Sequence, residues 1–294
     1  MTRSVGAVTD PFVAHRSLLF TVAYEMLGSA ADAEDVVQET WLRWTDVDVS
    51  DIRDPRAYLV RIVTRQSLNR LRTLSRRRED YVGEWLPEPL LTSPDVADDV
   101  ELAESVSVAM LTVLETLGAV ERAVFVLREV FDVPYDEIAE AVGKTPASVR
   151  QIAHRARDHV AARRPRVRVS RAEQDAVVER FLSAVRGGDL RALLDVLAPD
   201  VVVVADGGGI VTAARHPVVG AQRAAAFLAM LSKVANFSIE VTLLNGAPAV
   251  RIEVNGALDT VASLLVEDGR VSRVFAVRNP EKLSRLEEEA HLSR

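Results

Sequence analysis

Residues 134–157, PYDEIAEAVGKTPASVRQIAHRAR, decide the reading of the chain. Tyr135, Ile138, Ala139 and Val142 recur at helical spacing, which predicts a short first helix. Gly143 suits its C-terminus, and Lys144-Thr145-Pro146 forms a tight turn. Thr145 can cap the next helix. Pro146 fits the first helical position, where an amide has no partner to lose. Val149, Ile152 and Ala156 then face inward, and Arg150, Gln151, His154, Arg155 and Arg157 stay on the open side. This is the layout of a helix-turn-helix whose second helix enters the major groove. There Arg and Gln carry the donors that read guanine and adenine edges. Residues 144–168 hold eight Arg or Lys and a single acid, Asp158, in a chain of net charge −7. The plainer alternative is a helical hairpin with a solvated basic face; turn chemistry, spacing and charge together favour DNA.

At 294 residues, two or three domains are expected, and a hydrophobic share of 48% is ample for real cores. No apolar run is long enough to span a bilayer, and MTRSVGAVTDPF lacks the apolar segment of a secretory signal. A cytoplasmic protein with no membrane partner is expected. The absence of cysteine excludes disulfides and thiolate metal sites, and the five histidines show no ligand spacing, so neither metal nor cofactor is expected. A pI near 5.4 confines any nucleic-acid contact to local patches.

On the N-terminal side, Leu18, Leu19, Val22, Ala23 and Met26 form an apolar helical stripe ended by Gly28. A second helix starts near Ser29, with acids in its first turn where the dipole favours them. Its segment AEDVVQETWLRW places Asp35, Gln38 and Glu39 on an exposed face beside aromatics, either a plain amphipathic surface or a face for a partner. Asp54-Pro55 opens the helix RAYLVRIVTRQSLNRLRTLSRRR, with Ala57, Leu59, Ile62, Val63 and Leu68 as its buried stripe. Residues 61–78 of it hold seven arginines and no acid. Tyr58, Gln66 and Asn69 lie among them. Arginines pair with phosphates, while aromatics and amides hold unstacked bases, so this is a second nucleic-acid candidate.

Residues 79–100 are acidic and proline-rich, a linker rather than one regular element. Tyr81, Trp85, Leu86, Leu90 and Leu91 are too apolar for free solvation, so the linker is expected to lie against another surface. Residues 101–131 predict two helices, the first carrying Leu102, Val106, Met110 and Leu114, and residues 163–168 a basic connector. Beyond it the pattern changes. Residues 172–187 predict an amphipathic helix, and Asp189 caps another. Residues 201–205 are a continuous apolar strand. Asp206-Gly207-Gly208-Gly209 is a turn, with 210–213 as the returning hairpin partner. Residues 220–234 predict a helix. Residues 237–244, 249–254, 258–266 and 270–277 predict four strands, and Asn279-Pro280 begins a charged tail helix. Helices followed by a curved antiparallel sheet make an α+β domain.

The first 165 residues resemble an extracytoplasmic-function (ECF) sigma factor of bacterial RNA polymerase. ADAEDVVQETWLRW is similar to the region 2 helix that docks on the polymerase clamp. DPRAYLVRIVTRQSLNRLR resembles the segment that melts and reads the −10 element. LGAVERAVFVLREVFDVPYDEIAEAVGKTPASVRQIAHRAR resembles region 4, which binds the −35 element. The remainder resembles a SnoaL-like domain of the cone-shaped α+β fold, an extension carried by one subgroup of these factors. Its hallmarks stand here as WLPEPL from Trp85, DGGG from Asp206, and Asn279-Pro280-Glu281-Lys282-Leu283.

The resemblance implies a multi-domain protein: two all-α sigma modules and a C-terminal α+β cone domain. Its segments are region 2 at 1–79, linker 80–100, region 4 at 101–168, and the SnoaL-like domain at 169–294. It implies polymerase core (beta-prime clamp and beta flap) and promoter DNA as partners. Asp35, Gln38 and Glu39 would lie in the polymerase-facing helix. Tyr58, Arg61, Arg65, Asn69 and Arg72 would lie near the −10 strand, and Ser148, Arg150, Gln151, His154 and Arg155 at the −35 groove. Trp85, Leu86, Pro87, Asp206, Gly207, Gly208, Gly209, Asn279, Pro280, Lys282 and Leu283 would hold the chain's own C-terminal domain to the linker or sigma modules and regulate in cis. No residue is expected to be catalytic. Two alternatives stand beside this one. A buried Asp206 or Asp259 with a raised pKa would make the cone domain an isomerase-like enzyme. An apolar pocket with one or two acids would make it a sensor of a small ligand.

Overall fold

The computed structural model describes residues 10–48, 52–164 and 169–294. In chain order the helices are α1 (Pro11–Leu27), α2 (Ala30–Thr45), α3 (Pro55–Glu79), α4 (Pro94–Asp98), α5 (Val100–Val106), α6 (Val108–Leu114) and α7 (Ala119–Phe125). They continue as α8 (Tyr135–Val142), α9 (Pro146–Ala161), α10 (Arg171–Gly187), α11 (Leu190–Val196), α12 (Ala221–Ala229) and α13 (Pro280–Leu283). The strands are β1 (Leu91–Thr92), β2 (Leu197–Asp206), β3 (Val218–Val219), β4 (Phe237–Leu244), β5 (Ala247–Val254), β6 (Ala257–Glu267), β7 (Arg270–Val277) and β8 (Glu289–Ala290). The chain divides into two compact units. One holds residues up to 74, 117–159 and 291–294; the other holds 75–116 and 160–290.

The first unit is helical. Asp10 caps α1 by accepting from the Phe12 amide at 2.8 Å, and Gly28 ends it in the left-handed region. Residues 18–27 of α1 are all buried, Glu25 among them. α1 packs on α2, on α7 and on the π-helical turn Val126–Val130 that continues α7. Within the α1–α7 contact, fully buried Arg122 donates through Nε to the Glu25 carbonyl at 2.9 Å. Burial pushes the Arg122 pKa down to about 9, against the opposing pull of the Glu25 charge, so the guanidinium is still charged at neutral pH.

Residues 101–131 are more broken than the two helices expected. Ser107 is extended and its hydroxyl accepts from the Met110 amide at 3.2 Å, ending α5 and starting α6. Leu102, Val106, Met110 and Leu114 are buried as their spacing implied, but on two helices.

The second unit is built on one eight-stranded sheet in the order β3-β2-β7-β6-β5-β4-β1-β8. Three hairpins close on Asn245-Gly246, Asn255-Gly256 and Asp268-Gly269, each with both residues at positive φ, as the twist of paired strands favours. α10, α11 and α12 cover one face, over a core that includes Val178, Phe181, Leu182, Leu193 and Val274. Three expectations are corrected here. The sheet is mixed, since β2 runs parallel to β7. Residues 210–213 form no strand: the amides of Ile210 and Val211 turn back onto the Gly207 carbonyl, and the antiparallel partner of β2 is the short β3. The tail helix is a single turn; Leu283 and Leu286 drop into the core, and the chain then runs extended as β8. The helix at 220–234 tightens to a 3₁₀ turn at Met230–Lys233. The basic connector falls partly on residues 165–168, outside the described residues, as does the start of the N-terminal segment.

The linker folds as part of this unit. β1 pairs with β4 on one side and with β8 on the other. Asn245 Oδ1 accepts from the Leu90 amide at 3.0 Å, and its Nδ2 donates to the Val106 carbonyl at 2.8 Å. Leu86 sits in a core cluster with Val108, Phe275, Val277 and Leu283.

Candidate functional site

The helix-turn-helix is assembled by local chemistry. Gly143 is left-handed at φ 68°, Pro146 opens α9, and Thr145 Oγ1 accepts from the Ser148 amide at 3.2 Å. Val149, Ile152, Ala153 and Ala156 are buried, which turns Arg150, Gln151, His154 and Arg155 outward along one exposed face. Arg150 lies over the Tyr135 ring at 5.5 Å, and His154 meets Asp158 at 2.8 Å. The face offers guanidinium, amide and imidazole donors on a helix thin enough for a major groove.

The second basic face, on α3, is partly engaged within the same unit. Arg61 forms an ion pair with Glu140 at 2.8 Å and lies 5.2 Å from the Tyr58 ring. Arg65 donates through Nη2 to the Glu140 carbonyl at 2.7 Å and through Nε to the Ala141 carbonyl at 3.4 Å. These carbonyls end α8, where the helix dipole is negative and attracts a cation. Asn69 and Arg72 bond each other at 3.1 Å on an exposed stretch. Gln66 is buried and donates to Glu39 Oε2 at 2.9 Å. On α2, Asp35 accepts from Arg70 at 2.6 Å, Gln38 is exposed, and Trp41 and Leu42 present apolar surface next to them.

A third cluster binds the linker to the sheet. The Asp206 carboxylate is fully buried and accepts four hydrogen bonds: Tyr81 Oη at 2.6 Å, the Leu86 amide at 2.9 Å, the Gly208 amide at 3.0 Å and Lys282 Nζ at 2.7 Å. Lys282 also donates to the Leu86 carbonyl at 2.5 Å and lies against the rings of Trp85 (4.3 Å) and Tyr81 (5.0 Å). Asn279 donates to Tyr81 Oη at 3.0 Å and caps α13 through the Glu281 amide. Pro280 is the first residue of that helix and is exposed, while Pro87 is buried. Gly208 and Gly209 have positive φ; a Cβ at Gly208 would strike the Asn279 side chain, and one at Gly209 would come within 2.9 Å of Val82. Trp85, Leu86, Asp206, Asn279 and Lys282 are thus brought together, and Tyr81 and Asn245 join the linker contacts without having been singled out as site residues. The Asn245-Gly246 dipeptide is a hairpin signal that the sequence carried.

Burial and the Asp206 bond push the Tyr81 phenol above its ordinary pKa of 10.0. A raised pKa contributes stability that is whole below the unfolded value and lost as pH rises past it. In an absorbance titration of tyrosinate, Tyr81 is therefore expected to ionise later than an ordinary phenol. Tyr81→Phe should remove that late step and loosen the linker even at neutral pH.

Neither candidate general base fits the enzyme reading. Burial pulls the Asp259 carboxyl up, but bonds from Arg278 and Thr260, with the Arg278 charge, outweigh it and leave the pKa below the usual value, not above it. The Asp206 carboxylate is occupied by its four donors. Among the described residues no cluster of His, Asp and Glu could hold a metal, and no helix is long and apolar enough to cross a membrane.

The chain belongs to the ECF sigma-factor family. Sigma-70 region 2 matches residues 12–77 and Sigma-70 region 4 matches residues 107–160. The chain is 35% identical to the ECF RNA polymerase sigma factor SigJ of Mycobacterium tuberculosis, over 93% of this chain and 92% of that one. It is 36% identical to the probable ECF sigma factor SigI of the same organism, over 96% and 97%. The crystal structure of SigJ superposes with a TM-score of 0.75, covering 94% of this chain and 98% of that one. The protein is a sigma factor that serves RNA polymerase in promoter recognition, with two helical sigma modules and a C-terminal α+β cone domain.

Proposed function

We propose that region 2 reads the −10 element, that region 4 reads the −35 element, and that the cone domain restrains both in cis. The Asp206 cluster carries this reading. The segment joining regions 2 and 4 is folded into the cone domain's own sheet and core, so the cone domain sets how far that tether can extend. The exposed α9 residues suit the −35 groove. Tyr58, Arg61, Arg65, Asn69 and Arg72 suit an unpaired −10 strand, whose flipped bases cost a few kcal/mol each to unstack. Arg61 and Arg65 must first leave the end of α8. Asp35, Gln38 and Glu39, beside Trp41 and Leu42, suit the beta-prime clamp, and region 4 the beta flap.

The test is transcription with core polymerase in vitro. Lys282→Met, which keeps the side-chain stem and removes its charge, and a chain ending at Val277 are each expected to raise promoter-specific transcription severalfold over the full chain. No change, or a fall, overturns the restraint. Failure of the full chain and both variants to initiate anywhere overturns the promoter assignments.

A further inference from the structure

The cone domain holds a half-open cavity of about 470 Å³, a size typical of small-molecule sites. Its body is lined by aliphatic groups of the sheet and by Phe181 and Phe227. Its polar groups gather at one end: Thr212, Asp259, Thr260 and Arg278. There Arg278 holds Asp259 through Nε at 3.1 Å and Nη2 at 2.7 Å, Thr260 donates to Asp259 at 2.6 Å, and Arg278 Nη1 donates to the Thr212 carbonyl. A guanidinium has five N–H groups, and three are engaged here. The paired charges neutralise each other, so this end favours a neutral group that both donates and accepts over an anion.

The same wall touches the linker. Thr212, Ala213 and Ala214 face the cavity on one side. With Gly207 and Gly209 they line a smaller cleft on the other, closed by Val82 and Gly83. Arg278 adjoins Asn279, and the amides of both donate to the Asp206 carbonyl, at 2.7 and 3.0 Å. Residues 212–217 have no regular secondary structure, so the partition between cavity and linker is a loop, not a strand.

We infer that the cone cavity is an effector site for a neutral, mainly apolar small molecule bearing a hydroxyl head that meets Arg278 and Asp259, and that the loop at 210–215 transmits its occupancy to the linker. The relay half rests on the proposed cis restraint; the binding half does not. An effector acts only through different affinities for the held and released linker, and a wall common to both supplies that difference.

Calorimetric titration of the full chain tests it, with 1-decanol and 2-naphthol against decanoate and 2-naphthoate. The alcohols are expected to bind at least tenfold more tightly than the carboxylates. Ala262→Phe and Ala276→Leu, which fill the cavity, should each weaken binding at least tenfold with thermal melting still cooperative. If Ala262→Phe does not fold, the smaller change carries the test. Hydrogen exchange reads the relay: the amides of residues 82–86 should change protection when an alcohol binds, and not in the filled variants. Binding by none of the four probes, or binding that survives the filling, overturns the site. Carboxylates binding as well as alcohols overturns the head-group assignment. Binding without any change in exchange overturns the relay alone, and leaves the transcription test of Lys282→Met to decide the cis restraint separately.

Discussion

Replacing Asp206 with alanine is expected to release the linker, with exchange at the Leu86 amide rising on the order of a hundredfold. The carboxylate is the common acceptor for Tyr81, Leu86, Gly208 and Lys282, so one substitution strands donors from three separate segments. Lys282 has only 11% of its side chain exposed and would lose the Asp206 charge beside it. Breaking a buried pair from one side costs about 3–5 kcal/mol, and a buried donor left without an acceptor adds about 1–3 kcal/mol. The loss is capped by what holds the linker down, because a released linker rehydrates its own donors. Asp206→Asn keeps the volume and part of the bonding and should fall between wild type and alanine. Lys282→Met should be milder than either, since Asp206 retains two amides and a phenol. Native-state hydrogen exchange on the full chain checks the order. An unchanged Leu86 amide in Asp206→Ala would show that the linker is held by β1 pairing and Asn245 instead.

Local chemistry was legible in the residues themselves. That the linker, the DGGG turn and Lys282 belong together came only through the family resemblance, and their atomic partners did not. The helix-turn-helix could be read because its determinants, Gly143, Thr145 and Pro146, act within a few residues of themselves. Asp206, the glycines after it, Trp85 and Lys282 could be singled out as motifs. That a buried carboxylate would meet Tyr81 across 125 positions has no periodic signature. The same holds for β2: its apolar run marks a strand, but its parallel partner β7 is decided by sheet order. The expectation of a returning hairpin at 210–213 failed because the glycines turn the chain onto itself. Ser107 split a continuous apolar period by capping the following turn, which periodicity alone does not register. Arg122 and Glu25 each sit inside an apolar stripe, where a single charge reads as an interruption, and only the packing of α1 on α7 gives them a shared meaning.

That pair yields the second large effect. Arg122→Ala is expected to weaken the docking of region 4 on region 2, because it leaves fully buried Glu25 without the guanidinium charge. A loss of about 3 kcal/mol, the low end for breaking a buried pair, shifts a docking equilibrium by roughly a hundredfold. In the docked arrangement Arg61 and Arg65 are held by Glu140 and the end of α8, so a strand that needs them binds only the undocked fraction. Affinity of the free chain for short, mixed-sequence single-stranded DNA should therefore rise, by up to about a hundredfold, while the melting temperature falls. Glu25→Leu alone should act in the same direction. The double variant Glu25→Leu with Arg122→Met is expected to reverse both effects, since replacing two buried opposite charges by apolar side chains of similar volume is often neutral for stability. Fluorescence anisotropy and calorimetric melting on the four proteins decide it. If the single variants melt earlier but bind DNA as the wild type does, docking of region 4 does not guard the arginines of α3. If the double variant stays as open as the singles, the buried charges fix the geometry of the contact rather than its strength.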